Sequence, residues 1–156
     1  MLIQLGQLAP DFTLYNTEKD KISLTDHRGK NVVILFFPLA FTGVCTIELC
    51  NMRDNMSVYN RLNAEIIGIS VDSLFALNRY RKEMQLEFDL LSDFNKHTSI
   101  DYGCLNEHFK YDMNGVSKRS SFVLDKEGIV RYAEVLENAG ELPDFEAIQD
   151  CLKSLN

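Results

Sequence analysis

The segment NVVILFF, Asn31 to Phe37, is apolar at almost every position without alternation, as a strand covered on both faces requires. AEIIGISV, Ala64 to Val71, reads the same way. Between them, the spacing predicts a helix from about Thr42 to Leu62, and two buried strands joined by a helix form a βαβ unit with parallel strands. Two shorter strands, Phe12 to Leu14 and Ile22 to Leu24, form an N-terminal β-hairpin ahead of this unit. Beyond it the pattern predicts a helix from Ser73 to Met84 capped by Asp72 or Ser73, a strand over Phe88 to Leu91 and a helix over Asn95 to Tyr102. SKRSSFVLDKEGIVRYAEV then forms a hairpin whose turn, Asp125 to Gly128, closes on glycine. A last helix starts near Pro143, a residue suited to a first helical position. Strands interleaved with helices, followed by a late hairpin, give an α/β fold with a mixed central sheet and helices on both faces.

On the helix after NVVILFF, a rotation of 100° per residue places Leu49, Met52, Met56 and Tyr59 within about 40° of Cys45. These residues form one apolar stripe, with Cys45 in the first turn. Cys50, five residues on, points about 140° away. Position alone reads Cys45 as a small hydrophobe completing the stripe. A helix start nevertheless offers unpaired N–H groups and a positive dipole end, both of which favour thiolate over thiol.

Composition narrows the classes. The 156 residues suffice for one domain with its own core, and no repeat or linker divides them. Their net charge of −7 contains no Lys/Arg block, which argues against a nucleic-acid partner. The run from Val32 to Phe41 falls short of the ~20 residues that cross a bilayer, and the N-terminal segment lacks a signal-peptide pattern, so no membrane association and a cytoplasmic location are expected. Four cysteines are too sparse for a disulfide scaffold, which makes each a free thiol, a metal ligand or a redox centre.

Pro38, Thr42 and Cys45 form P-x-x-x-T-x-x-C, with Glu48 three residues later and MRD at Met52 to Asp54. This resembles the active-site signature of the peroxiredoxins, thiol peroxidases on a thioredoxin-like fold. LGQLAPDFTL (Leu5 to Leu14), RGKNVVILFF (Arg28 to Phe37) and RSSFVLD (Arg119 to Asp125) extend the resemblance over most of the chain. The stretch FFPLAFTGVCTIELC is similar to the alkyl hydroperoxide reductase E group, and Cys50 matches the resolving position of many peroxiredoxin Q (bacterioferritin comigratory) proteins.

The resemblance implies a mechanism that needs no cofactor. Cys45 attacks ROOH as thiolate, becoming a sulfenic acid and releasing ROH. Thr42 holds the thiolate or a peroxide oxygen, Pro38 shields the pocket without presenting an N–H, and Arg119 donates to the sulfur and the departing oxygen. Glu48 orients that arginine. Ionising a free thiol completely gains only about 30-fold at neutral pH, so further acceleration requires donors that bind more tightly as the O–O bond breaks. Arg119, Thr42 and the amides near Val44 and Cys45 are the candidates. By strand pattern alone Arg119 reads as surface charge, sharing a face with Ser121 and Val123. The expected reductant is thioredoxin or a glutaredoxin-like donor, and a homodimer is plausible by the same resemblance.

Other readings stay open on sequence grounds. Cys50 is the resolving thiol, or a bystander in a one-cysteine cycle; a third possibility is a thioredoxin-like peroxide sensor without turnover. A zinc site from Cys45, Cys50, Cys104 and His108 conflicts with helix geometry, because Cα atoms five apart on a helix are separated by about 8.6 Å with diverging side chains. His27, His97 and His108 show no nucleophile–base motif for a cysteine hydrolase. Cys151 lies on the apolar face of the last helix with Phe145, Ile148, Leu152 and Leu155, as a packed thiol would. Cys104 carries no pattern that assigns it.

Overall fold

A computed structural model describes residues 2–156. Nine strands and five helices follow one another: β1 (Thr13–Asn16), β2 (Lys21–Ser23), β3 (Asn31–Phe36), α1 (Gly43–Asp54), α2 (Met56–Arg61), β4 (Ala64–Ser70), α3 (Leu74–Met84), β5 (Asp89–Ser92), α4 (His97–Asp101), β6 (Leu105–Asn106), β7 (Val116–Ser117), β8 (Ser120–Leu124), β9 (Val130–Val135) and α5 (Phe145–Ser154). Seven strands form one mixed sheet in the order β2-β1-β5-β4-β3-β8-β9, and β6 pairs with β7 apart from it. β3, β4 and β5 run parallel, while β8 lies antiparallel to β3. This is the thioredoxin-like α/β architecture that the sequence predicts, including the N-terminal hairpin β1–β2.

β3 sits at the centre, buried at all six positions, because both of its faces are covered. Val33, Leu35 and Phe37 point into one core with Ile66, Leu90 and Val123, closed by side chains of α1, α2, α3 and α5. Val32, Ile34 and Phe36 point into the other with Ile67, Ile69, Phe122 and Leu124, closed by Phe12, Leu24, Tyr102 and Cys104. Period-two alternation thus sorts the sheet's side chains between two cores.

Two local predictions are corrected and one strand pair is added. The helix expected from Thr42 to Leu62 is broken at Asn55, whose φ and ψ of −111° and 17° end α1 before α2 begins. Its side-chain Nδ2 donates to the Asn51 carbonyl at 2.8 Å, taking the acceptor that a continuing helix would offer to the Asn55 amide. The apolar stripe survives the break, with Leu49, Met52 and Tyr59 fully buried and Met56 packed beside them. Pro143 is not a first helical residue: Asp144 caps α5 by accepting the Ala147 amide at 3.0 Å, which places the proline ahead of the cap. The strand pair β6–β7 is absent from the sequence-based reading, because two residues per strand leave no detectable alternation.

Candidate active site

The parallel strand β3 delivers the chain to Pro38, which is buried, and the antiparallel strand β8 begins beside the same point. Phe36 pairs with Ser120, so the next residue outward on each strand brings Arg119 alongside Phe37. Ser70 and Asp72 then fix the loop between β3 and α1. The Asp72 carboxylate accepts the Ala40 amide at 2.8 Å and the Ser70 hydroxyl at 2.7 Å through one oxygen. Asp72 is therefore free of the capping role. That role falls to Ser73, whose Oγ accepts the Ala76 amide at 3.1 Å. Phe41 takes a left-handed φ of 65° before Thr42 starts α1.

Cys45 occupies the first turn of α1 and is 1% exposed. Arg119 Nη1 reaches its Sγ at 3.3 Å and donates also to Glu48 Oε1 at 2.7 Å, with Arg119 2% and Glu48 0% exposed. Nη2 donates to the Ala139 carbonyl at 2.9 Å. The guanidinium is thus held at two corners and presented to the thiol from the residue just ahead of β8. The surface position suggested by strand pattern is wrong for Arg119, since pairing with Glu48 offsets the cost of burying it. Burial pushes the Glu48 carboxyl up to about 7 against the opposing pull of Arg119, with nearby Glu134 adding to the rise. Desolvation acts to lower Arg119, but Glu48 and the Cys45 sulfur together raise it above its ordinary value.

Thr42 Oγ1 donates to the Leu39 carbonyl at 2.7 Å instead of capping α1 or meeting the sulfur. Its hydroxyl proton is committed, which leaves the oxygen as an acceptor. The first amide bonded back to the Thr42 carbonyl is that of Thr46, at 3.0 Å, so the N–H groups of Gly43, Val44 and Cys45 precede the helix ladder. No side chain caps them. Cys50 is half-buried on the same helix. The structure accordingly brings Pro38, Thr42, Cys45 and Arg119 to one end of β3 and the start of α1, while Cys50 lies further along the same helix.

Cys104 belongs to the opposite core, and burial pushes its thiol up to about 12. The sheet separates it from Cys45, so these two cannot share an ion or a disulfide within the folded chain. His108 is exposed, and Cys151 is a half-buried thiol packed on the Cys45 side, raised by the same burial effect. Sequence reasoning missed the Asp72–Ala40 tie and the Ala139 carbonyl. Nothing in local pattern marks a carboxylate that serves a loop 32 residues away.

The AhpC/TSA family profile matches residues 5–133. The chain belongs to that family. It is 36% identical to alkyl hydroperoxide reductase E of Mycobacterium tuberculosis over 157 residues, covering 99% of each. It is 34% identical to peroxiredoxin-2 of Mus musculus, covering 96% of this chain and 76% of the relative. Among solved structures, peroxiredoxin Q of Xanthomonas campestris superposes with a TM-score of 0.80 at 26% identity, over 92% of this chain and 90% of that one. Peroxidoxin BcpB of Mycobacterium tuberculosis, 22% identical, shares the fold with a TM-score of 0.87 over 99% of both chains. This peroxiredoxin is a thiol-dependent peroxidase, an oxidoreductase acting on peroxide. Among the described residues no helix is long and apolar enough to cross a membrane.

Proposed function

We propose that Cys45 is the thiol that peroxide oxidises, that Arg119 stabilises the transition state, and that Cys50 resolves the product. The observation that carries this reading is the single guanidinium nitrogen shared between the Cys45 sulfur and Glu48, all three side chains being buried. In the first step the thiolate displaces ROH from ROOH: an S–O bond forms, the O–O bond breaks and the departing alkoxide takes a proton. Negative charge spreads from sulfur to the leaving oxygen as this occurs. A donor fixed at the sulfur, together with the uncapped amides at the start of α1, binds that spread charge without having to reorganise. Thr42 Oγ1, an acceptor once its proton is given to Leu39, receives the hydroperoxide O–H. Pro38 closes the pocket floor without adding a competing N–H.

In the second step the Cys50 thiolate attacks the Cys45 sulfenic sulfur, forming the S–S bond as hydroxide leaves and is protonated to water. A dithiol reductant of the thioredoxin or glutaredoxin type then regenerates both thiols. Hydrogen peroxide and alkyl hydroperoxides are the substrate class. Cys45→Ser tests the core of this reading. Turnover with peroxide and a dithiol reductant should fall to a trace, because a hydroxyl is a poor nucleophile at neutral pH. Retained turnover would move the nucleophile to another cysteine.

A further inference from the structure

α1 is fastened to α3 near both of its ends. In its first turns Thr46 Oγ1 lies 2.9 Å from the Tyr80 hydroxyl, and toward its C-terminus Arg53 Nη1 donates to the Met84 carbonyl at 2.6 Å. The two ties differ in their bearing on the redox cycle. A disulfide needs Cα atoms within about 7 Å, whereas helix holds residues 45 and 50 about 8.6 Å apart. The first turns must therefore unwind, which breaks the Thr46–Tyr80 bond. Arg53 lies beyond Cys50, so its tie keeps the rest of α1 in place. Tyr80 is itself immobilised, fully buried with its ring 4.9 Å from that of Phe41 at an interplanar angle of 62°. Phe41, in contrast, is 51% exposed and stands at the start of the stretch that moves.

We propose that the Thr46–Tyr80 hydrogen bond latches the first turns of α1, making Tyr80 a positioning residue that sets how the Cys45 sulfenic acid partitions between disulfide and sulfinic acid. The inference rests on Cys50 as the resolving thiol. Water is released when Cys50 closes the ring, whereas a second ROOH that arrives first adds oxygen to the sulfenic acid and releases another ROH. The two fates compete, and the latch acts on the first alone. Burial pushes the Tyr80 phenol up to about 12, so the latch joins two neutral hydroxyls and holds through the neutral pH range. Thr46 is only half-buried, and a freed hydroxyl there finds water. Removing Tyr80's oxygen thus costs the net bond of ~1 kcal/mol and no orphaned donor, equivalent to about five-fold in an opening equilibrium.

Tyr80→Phe and Thr46→Val, singly and together, test the latch while keeping side-chain volume. Tyr80→Phe should speed Cys45–Cys50 disulfide formation after one equivalent of hydrogen peroxide about five-fold, and Thr46→Val by at least as much, because it leaves the buried Tyr80 hydroxyl without a partner in the closed helix. Hydrogen exchange of the amides at the start of α1 in the reduced protein should accelerate by the same factor. The sulfinic fraction formed in excess peroxide should fall, and the first oxidation of Cys45 should keep its rate. The double variant should match Tyr80→Phe, because one bond can be lost only once and no buried hydroxyl is then left unpaired. Unchanged exchange at the start of α1, or additive effects in the double variant, would overturn the latch. Absence of a Cys45–Cys50 disulfide in the wild type would overturn the resolving role and the partition with it, whereas the exchange measurement uses reduced protein and judges the latch independently of Cys50.

Discussion

At the scale of single residues, the site turns on one buried guanidinium with two clients. Arg119→Ala should slow Cys45 oxidation by about 100-fold or more, as expected for loss of a preorganised donor to developing charge. It should also lower stability by a few kcal/mol, since Glu48 is then buried without its partner, although uptake of a proton limits the loss. Stopped-flow peroxide reduction and urea melts separate the two effects. Glu48 supplies a pH signature of its own. Its carboxyl is raised by burial from 4.5 to about 7, so between those values the folded state holds a proton that the unfolded state releases. That contribution is complete below pH 4.5 and is lost as pH climbs through about 7. Stability relative to Glu48→Gln should therefore fall over this window by something on the order of 3 kcal/mol, and unfolding at pH 5 and pH 8 would measure it. A flat difference would mean that Arg119 keeps Glu48 ionised throughout.

At the scale of elements, α1 carries both thiols of the proposed cycle, and its geometry keeps them apart. One equivalent of peroxide should yield a Cys45–Cys50 disulfide accompanied by loss of helical circular dichroism, restored by a dithiol. The loss should be confined to the first turns of α1, because the break at Asn55 already separates α2 from it. Cys50→Ser should keep its helix and pass from sulfenic to sulfinic acid in excess peroxide. Peptide mapping that joined Cys45 to Cys151 would reassign the resolving thiol.

For the whole molecule, the central sheet is the barrier that sorts the four cysteines. Cys104 is fully enclosed on one side, while Cys45, Cys50 and Cys151 lie in α1 and α5 on the other. After one equivalent of peroxide, denatured and unreduced protein should show two remaining thiols of the original four, assignable to Cys104 and Cys151. In the native state Cys104 should resist alkylation until the sheet unfolds, since burial holds it as neutral thiol up to about 12. Rapid native alkylation of Cys104 would show that the second core opens far more readily than its packing implies.

What the sequence by itself determined are features set over a few consecutive residues. Unalternated apolar runs marked β3 and β4, the four-three spacing marked the buried face of α1 across its break, and the P-x-x-x-T-x-x-C pattern marked the start of that helix as the candidate site. Tertiary structure decided whatever depends on a partner distant in the chain. Strand pattern assigns Arg119 to the surface; only the antiparallel register of β8 on β3, with Glu48 waiting on α1, makes its burial tolerable and aims it at Cys45. In the same way the Thr42 hydroxyl turned to Leu39, Asp72 reached across to Ala40, and Tyr80 met Thr46 from another helix. A polar side chain takes whichever partner lies within about 3 Å of it after the backbone is packed, and no local periodicity encodes that choice.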